Sequence, residues 1–133
     1  MSHPTIDAWH ELVRKRNATG LDDILADEAV FHSPVVHTAQ RGKQLTKLYL
    51  SAAMMVLGDG NFSYVREVVG ESDAVLEFTA EVDGIHINGV DMIHWNADGR
   101  IDDFKVLVRP LKAMNLLHRL MAGMLGEMKT AQP

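Results

Sequence analysis

The sequence predicts an α+β domain in which three helices wrap a curved antiparallel sheet around an apolar pocket holding one carboxylate, Asp91. Three observations predict it. The hydrophobic period is helical before Gly58 and strand-like after it. Turn signals then recur about every 12 residues, at Gly58-Asp59-Gly60-Asn61, Gly70-Glu71-Ser72-Asp73, Asp83-Gly84 and Asn96-Ala97-Asp98-Gly99, which marks a strand meander. Helical spacing returns after Pro110. Helices grouped around a meander, rather than alternating with strands, give segregated layers with one sheet face covered.

Taken in order, Ile6, Trp9, Leu12 and Val13 recur at helical spacing between Pro4 and Asn17, and Pro4 suits a first helical turn. Gly20 breaks that helix, and Leu21, Ile24 and Leu25 supply a short second one. The stretch from Ala29 to Ser33 turns strand-like and stops at Pro34. After Gly42, the residues Leu45, Leu48, Tyr49, Ala52 and Met55 form the apolar face of a third helix that ends at Gly58. Four consecutive strands follow. In the clearest, 74 to 82, Ala74, Leu76, Phe78, Ala80 and Val82 alternate with Val75, Glu77, Thr79 and Glu81. The last, 100 to 109, leads through Pro110 into a final helix carrying Leu111, Met114, Leu117, Met121 and Leu125.

The 133 residues suffice for a single domain with one core, spanning 1–133, and no repeat or linker divides them. The absence of cysteine excludes a disulfide scaffold and a thiolate nucleophile, and it fits a cytoplasmic location. No basic stretch leads into an apolar run at the start, so no secretory signal is expected, and no long charge-free apolar run predicts a membrane span. A formal net charge of -5 with scattered basic residues argues against nucleic acid as a partner. The seven histidines form neither a His-x-His nor a His-x-x-x-His pair, so no metal site is predicted. His32, His37, His86 and His94 read as surface or subunit-interface residues, and Met114, Met121, Met124 and Met128 as packing for a core or a partner. Phosphate-binding loops and the Gly-x-Ser-x-Gly elbow are missing, which leaves no support for nucleotide cofactors or serine hydrolysis; no cofactor is expected.

Strand 85 to 95 carries the chemistry. Ile85, Ile87, Gly89, Asp91, Ile93 and Trp95 share one face, and His86, Asn88, Val90, Met92 and His94 the other. Asp91 interrupts an apolar row, so it is paired, hydrogen-bonded, or protonated by desolvation. A plain structural role, with Arg109 or a backbone group as partner, is the alternative, as is an outward turn at a bulge. Gly89 either marks a bulge or leaves room for a ligand. Asp102 shares a face with Phe104, Val106 and Val108 and is the one candidate for a second inward acid.

The element order, together with Leu-Ala-Asp-Glu-Ala-Val-Phe-His-Ser-Pro at 25 to 34, Gly89-Val90-Asp91-Met92-Ile93-His94-Trp95 and Asp98-Gly99-Arg100-Ile101, resembles the nuclear transport factor 2-like superfamily over essentially the whole chain. That resemblance implies a cone-shaped, mixed or antiparallel sheet wrapped by three to four helices, and a homodimer. Its members include ketosteroid isomerases, polyketide cyclase-like proteins and epoxide hydrolases, so architecture is implied more firmly than function. Compared with ketosteroid isomerase, Asp91 matches the protonated acid of the oxyanion hole, and Tyr49 matches a supporting tyrosine. The position of that enzyme's base is Ser33, which without a partner cannot replace a carboxylate, and its first-helix tyrosine falls at Leu12. Polyketide cyclases ask less of the pocket, since one acid suffices.

The sequence therefore predicts a small, largely apolar ligand in a pocket bounded by Trp9, Phe31, Ser33, Tyr49, Phe78, Ile93, Trp95, Phe104 and Val106. Asp91 would orient a carbonyl or hydroxyl, or move a proton, as a cyclase or isomerase does. The solvent-side residues Val75, Val90 and Met92 suit the homodimer surface. In the competing class the chain is a non-catalytic interaction module and that outer face is its working surface.

Overall fold

The computed structural model describes residues 3–58 and 61–131, with side chains as far as Gly126 in the last helix. Asp59 and Gly60 of the first predicted turn, and the side chain of Met128, lie outside the described residues. The elements run α1 (Pro4–Lys15), a 3-10 turn (Ala18–Gly20), α2 (Leu21–Ile24), β1 (Leu25–His32), β2 (Gln40–Arg41), α3 (Lys43–Leu57), β3 (Ser63–Val69), β4 (Asp73–Val82), β5 (Ile85–Trp95), β6 (Ile101–Arg109) and α4 (Leu111–Ala131). The six strands form one sheet in the order β2-β1-β6-β5-β4-β3.

The four-strand meander and the helices on either side stand as the sequence predicts; the first half differs at the start of β1, in an added strand β2 and in the buried side of α3. β1 begins at Leu25, not Ala29, and ends at His32, so Leu25 leaves the second helix for the strand. It pairs parallel with β6, making the sheet mixed. A two-residue strand, β2, pairs antiparallel with β1 and was not predicted. The buried side of α3 is only partly the predicted one: Ala52 is buried and Tyr49 packs on the core as expected, but Leu45 is 38% and Met55 60% exposed, and Thr46, Leu50 and Met54 are buried instead. The cause is polar. Thr46 Oγ1 donates to the Ala29 carbonyl (3.2 Å), pinning that side of the helix to β1.

Helix α1 packs on the part of the concave face formed by Ala74, Ile93, Trp95, Ile101 and Phe104. The His3 side chain accepts from the Thr5 amide at its start, and Ile6, Trp9 and Leu12 bury one face, each contributing roughly 1.5–3 kcal/mol. Arg16, in a left-handed conformation (φ 50°), closes it. Irregularities in register between Tyr64 and Arg66 in β3, Leu25 and Val30 in β1, and at His94/Trp95 in β5 accompany the curvature of the sheet. Its concave face splits into two apolar clusters. One joins α1 to Ala74, Ile93, Trp95, Ile101 and Phe104; the other joins α4 to Phe78, Ala80 and Ile87.

Candidate functional site

Three inner rows of the sheet fix the depth of each residue. Ala74, Ile93 and Phe104 lie side by side, then Leu76, Asp91 and Val106, then Phe78, Gly89 and Val108. A cavity of about 240 Å³ opens above the second and third rows, beneath α1, α3 and α4. The predicted residues Trp9, Phe31, Ser33, Tyr49, Phe78, Asp91, Phe104 and Val106 all line it. Ile93 and Trp95 do not: both are buried one and two steps further along β5, in the core under α1, with Trp95 against the His3 ring (4.5 Å between centroids). Alternation gives the face of a strand but not the depth along it.

Asp91 is 6% exposed. Its partner is Tyr64 on β3, whose hydroxyl donates to Oδ2 (2.5 Å). Trp9 Nε1–H in turn donates to the Tyr64 oxygen (3.0 Å), giving a relay from α1 through β3 to β5. Tyr64 on β3 stands directly opposite Phe78 of β4, one row from Asp91, and its side chain reaches over β4 to Asp91 on β5. Among the described residues no buried side-chain oxygen or nitrogen lacks a partner. Asp91 Oδ1 makes no hydrogen bond among the described residues, and it is the oxygen left for the cavity that Asp91 lines.

Burial pushes the Asp91 carboxyl up to about 7, and the hydrogen bond from Tyr64 pulls in the opposite direction. Burial, with the charge of Asp91 beside it, also holds the Tyr64 hydroxyl well above the ordinary tyrosine range, so it remains a donor. Asp91 is thus poised near neutrality. Protonated, Oδ1–H donates to a ligand oxygen; ionised, Oδ1 accepts a proton. Removal of the Tyr64 hydroxyl has a definite sign. Tyr64→Phe is expected to raise the Asp91 titration midpoint further, visible in its carboxyl carbon resonance, and to cost about 1–3 kcal/mol in urea unfolding because Trp9 loses its acceptor.

Arg109 is not the partner of Asp91, and the second inward acid does not exist as predicted. The irregularity between His94 and Trp95 sets Asp103 opposite His94 and Ile101 opposite Trp95. Asp102 falls between those pairs, and its side chain bonds His94 on the outer face (2.5 Å), raising that imidazole's pKa. Asp103 faces outward and bonds His32 (2.8 Å). Tyr49 stacks on Phe31 (5.3 Å) and, among the described residues, makes no hydrogen bond to Asp91. Ser33 Oγ accepts from the Val35 amide in its own turn (3.1 Å). Leu12 is core. No group of three or more metal-ligating side chains occurs among the described residues, and no helix is long and apolar enough to cross a membrane.

Sequence reading missed Tyr64, Phe62, Arg16 and His118 of the lining. Strict alternation from Tyr64 sends Arg66 inward; the bulge reverses the phase, so Glu67 and Val69 follow Tyr64 onto the concave side. The available signal was composition: Tyr64 is one of only two tyrosines, lying in a strand.

The SnoaL-like domain family matches residues 6–104. No curated protein matches the chain. Among solved structures, a steroid delta-isomerase from Pseudomonas aeruginosa is 35% identical, with a TM-score of 0.89 over 96% of this chain and 93% of its own. An uncharacterised bacterial protein with a cystatin-like fold from Silicibacter pomeroyi is 27% identical (TM-score 0.83, covering 98% and 88%). A nuclear transport factor 2-like protein of unknown function from Mesorhizobium loti shares the fold at 19% identity (TM-score 0.70, 80% and 88%). With that family match across most of the chain, and with a mixed cone-shaped sheet enclosing its cavity, this chain belongs to the SnoaL-like domain family of the nuclear transport factor 2-like superfamily.

Proposed function

We propose that the domain binds a small, largely apolar carbonyl compound in the cone cavity, and that Asp91 moves a proton on it, in an isomerase- or cyclase-like reaction. The observation that carries this reading is a single acid at the floor of an apolar cavity, held by the Trp9–Tyr64 relay with one oxygen turned to the ligand. Ionised Asp91 would take the proton from a carbon beside the carbonyl and return it to another position; protonated Asp91 would hold the carbonyl oxygen. The similarity to a steroid delta-isomerase supports the first of these. The test is a thermal-shift screen of steroid ketones and fused aromatic ketones against wild type and Asp91→Asn, followed by deuterium incorporation from D₂O into any hit. A stabilising ketone whose exchange is lost in Asp91→Asn supports the reading; exchange at an equal rate in both proteins defeats it.

The outer face of the sheet favours a second copy of the chain as partner. Val68, Val75 and Met92 stand in one row across β3, β4 and β5, and they are 66%, 37% and 41% exposed. Val90 and Leu107 form the adjacent pair. If this face dimerises, Met92→Glu will halve the mass seen by sedimentation while leaving the Asp91 titration unchanged; were the chain an interaction module, Met92→Glu and not Asp91→Asn would abolish function.

A further inference from the structure

We infer that the cavity takes an anionic ligand, an apolar carboxylic acid whose charged end sits at the rim between Arg16 and His118 while its apolar body reaches toward Asp91; this rests on the pocket reading above. The lining is nearly all apolar, and Asp91 is the one acid among its described residues. Two basic side chains join it, Arg16 from the end of α1 and His118 from α4. Neither side chain makes a hydrogen bond or ion pair among the described residues, although the other arginine of that turn, Arg14, is paired with Glu11 (2.8 Å). An unpaired guanidinium at an apolar opening is the donor group that a carboxylate would engage.

The placement of Arg16 is built by the backbone. Its left-handed conformation turns it off the axis of α1, and its side chain lies across Gly58 at the end of α3. A Cβ at Gly58 would stand 3.0 Å from Arg16 Nε and 2.4 Å from the Met54 carbonyl oxygen, so a side chain there would contest the space the arginine uses. The acid and the base thus lie apart. Asp91 is deep in the cone, where an anion would be repelled, and Arg16 is exposed at the opening, where the charged end stays partly hydrated. A ligand with its charge at one end and a carbonyl or hydroxyl further along the body matches both.

The test compares two fluorescent probes with the same body, 8-anilinonaphthalene-1-sulfonate and the uncharged N-phenyl-1-naphthylamine. Binding is measured on wild type, Arg16→Gln, His118→Gln and Arg14→Gln, the last removing the same charge outside the cavity. Arg16→Gln is expected to weaken the sulfonate roughly tenfold, the loss of one charge-assisted contact, and to leave the neutral probe unchanged. His118→Gln should weaken the sulfonate less, and Arg14→Gln should leave it unchanged. Ala53→Phe, or Ala122→Phe if the first fails to fold, fills the cavity and should displace both probes. Equal effects of Arg16→Gln and Arg14→Gln, or a neutral probe that binds while the sulfonate ignores Arg16, overturn the anion inference and leave the pocket standing. Failure of both probes to bind, or binding that survives the filled cavity, overturns the pocket reading and this inference with it.

Discussion

Asp91→Asn is expected to gain stability over the wild type as pH rises, by about 3 kcal/mol between pH 5 and pH 8. The sign follows from where the proton sits. The folded protein keeps it on Asp91 up to about pH 7, whereas the unfolded chain releases it near the ordinary carboxylate value of about 4. Between those limits unfolding releases a proton, so each rise in pH favours the unfolded state. An amide at 91 still accepts from Tyr64 and has nothing to ionise, so that slope disappears. The pKa of His94, raised by Asp102, also makes stability fall with rising pH, but it does so in both proteins and cancels in the comparison. Urea unfolding at several pH values measures the difference. Parallel curves for the two proteins would mean that Asp91 is ionised in the fold at all these values.

Gly89→Ala is expected to destabilise the fold by roughly 3 kcal/mol, at the upper end for overpacking. A Cβ there would stand 2.5 Å from Phe78 Cζ and 2.6 Å from the Leu107 carbonyl oxygen. The ring could turn aside, but the carbonyl belongs to the neighbouring strand and cannot move without breaking its pairing with β5. Gly89 therefore makes room for the Phe78 ring over the sheet, and with it for one wall of the cavity; the pairing of β4 with β5 runs through it without a bulge. Phe78→Leu in the same chain should recover part of the loss, since it removes the aromatic contact and leaves the carbonyl one. A neutral Gly89→Ala in denaturant unfolding would contradict this packing.

How much was legible in the sequence depended on how local the determining contact is. The alternation of β5 was readable because its inner row is apolar apart from Asp91, and the structure keeps all six residues on that side. Tyr64 was not, because the bulge after it reverses the phase of β3 and its partner is 27 residues away. Asp102 failed for the same reason, one residue inside a bulge having no face that counting can assign. The parallel pairing of β1 with β6 joins segments about 70 residues apart, as His32 with Lys105 illustrates, and no periodicity reports it. In α3 the apolar pattern alone suggested Leu45 and Met55; the hydroxyl of Thr46, polar and completely buried, decides the orientation instead. Ile93 and Trp95 show the remaining gap, since facing inward is not the same as reaching the cavity.

The measurement closest to the centre of this account is the titration of Asp91 itself, followed through its side-chain carboxyl carbon in wild type with Asp91→Asn used to assign the signal. A midpoint near 7, moving upward in Tyr64→Phe, is the predicted result: a buried acid, held by Tyr64 and available as donor or acceptor at neutral pH. A midpoint at the ordinary carboxylate value of about 4, unmoved by Tyr64→Phe, would contradict it and leave Asp91 as a solvated side chain with no special claim on the chemistry of the cavity.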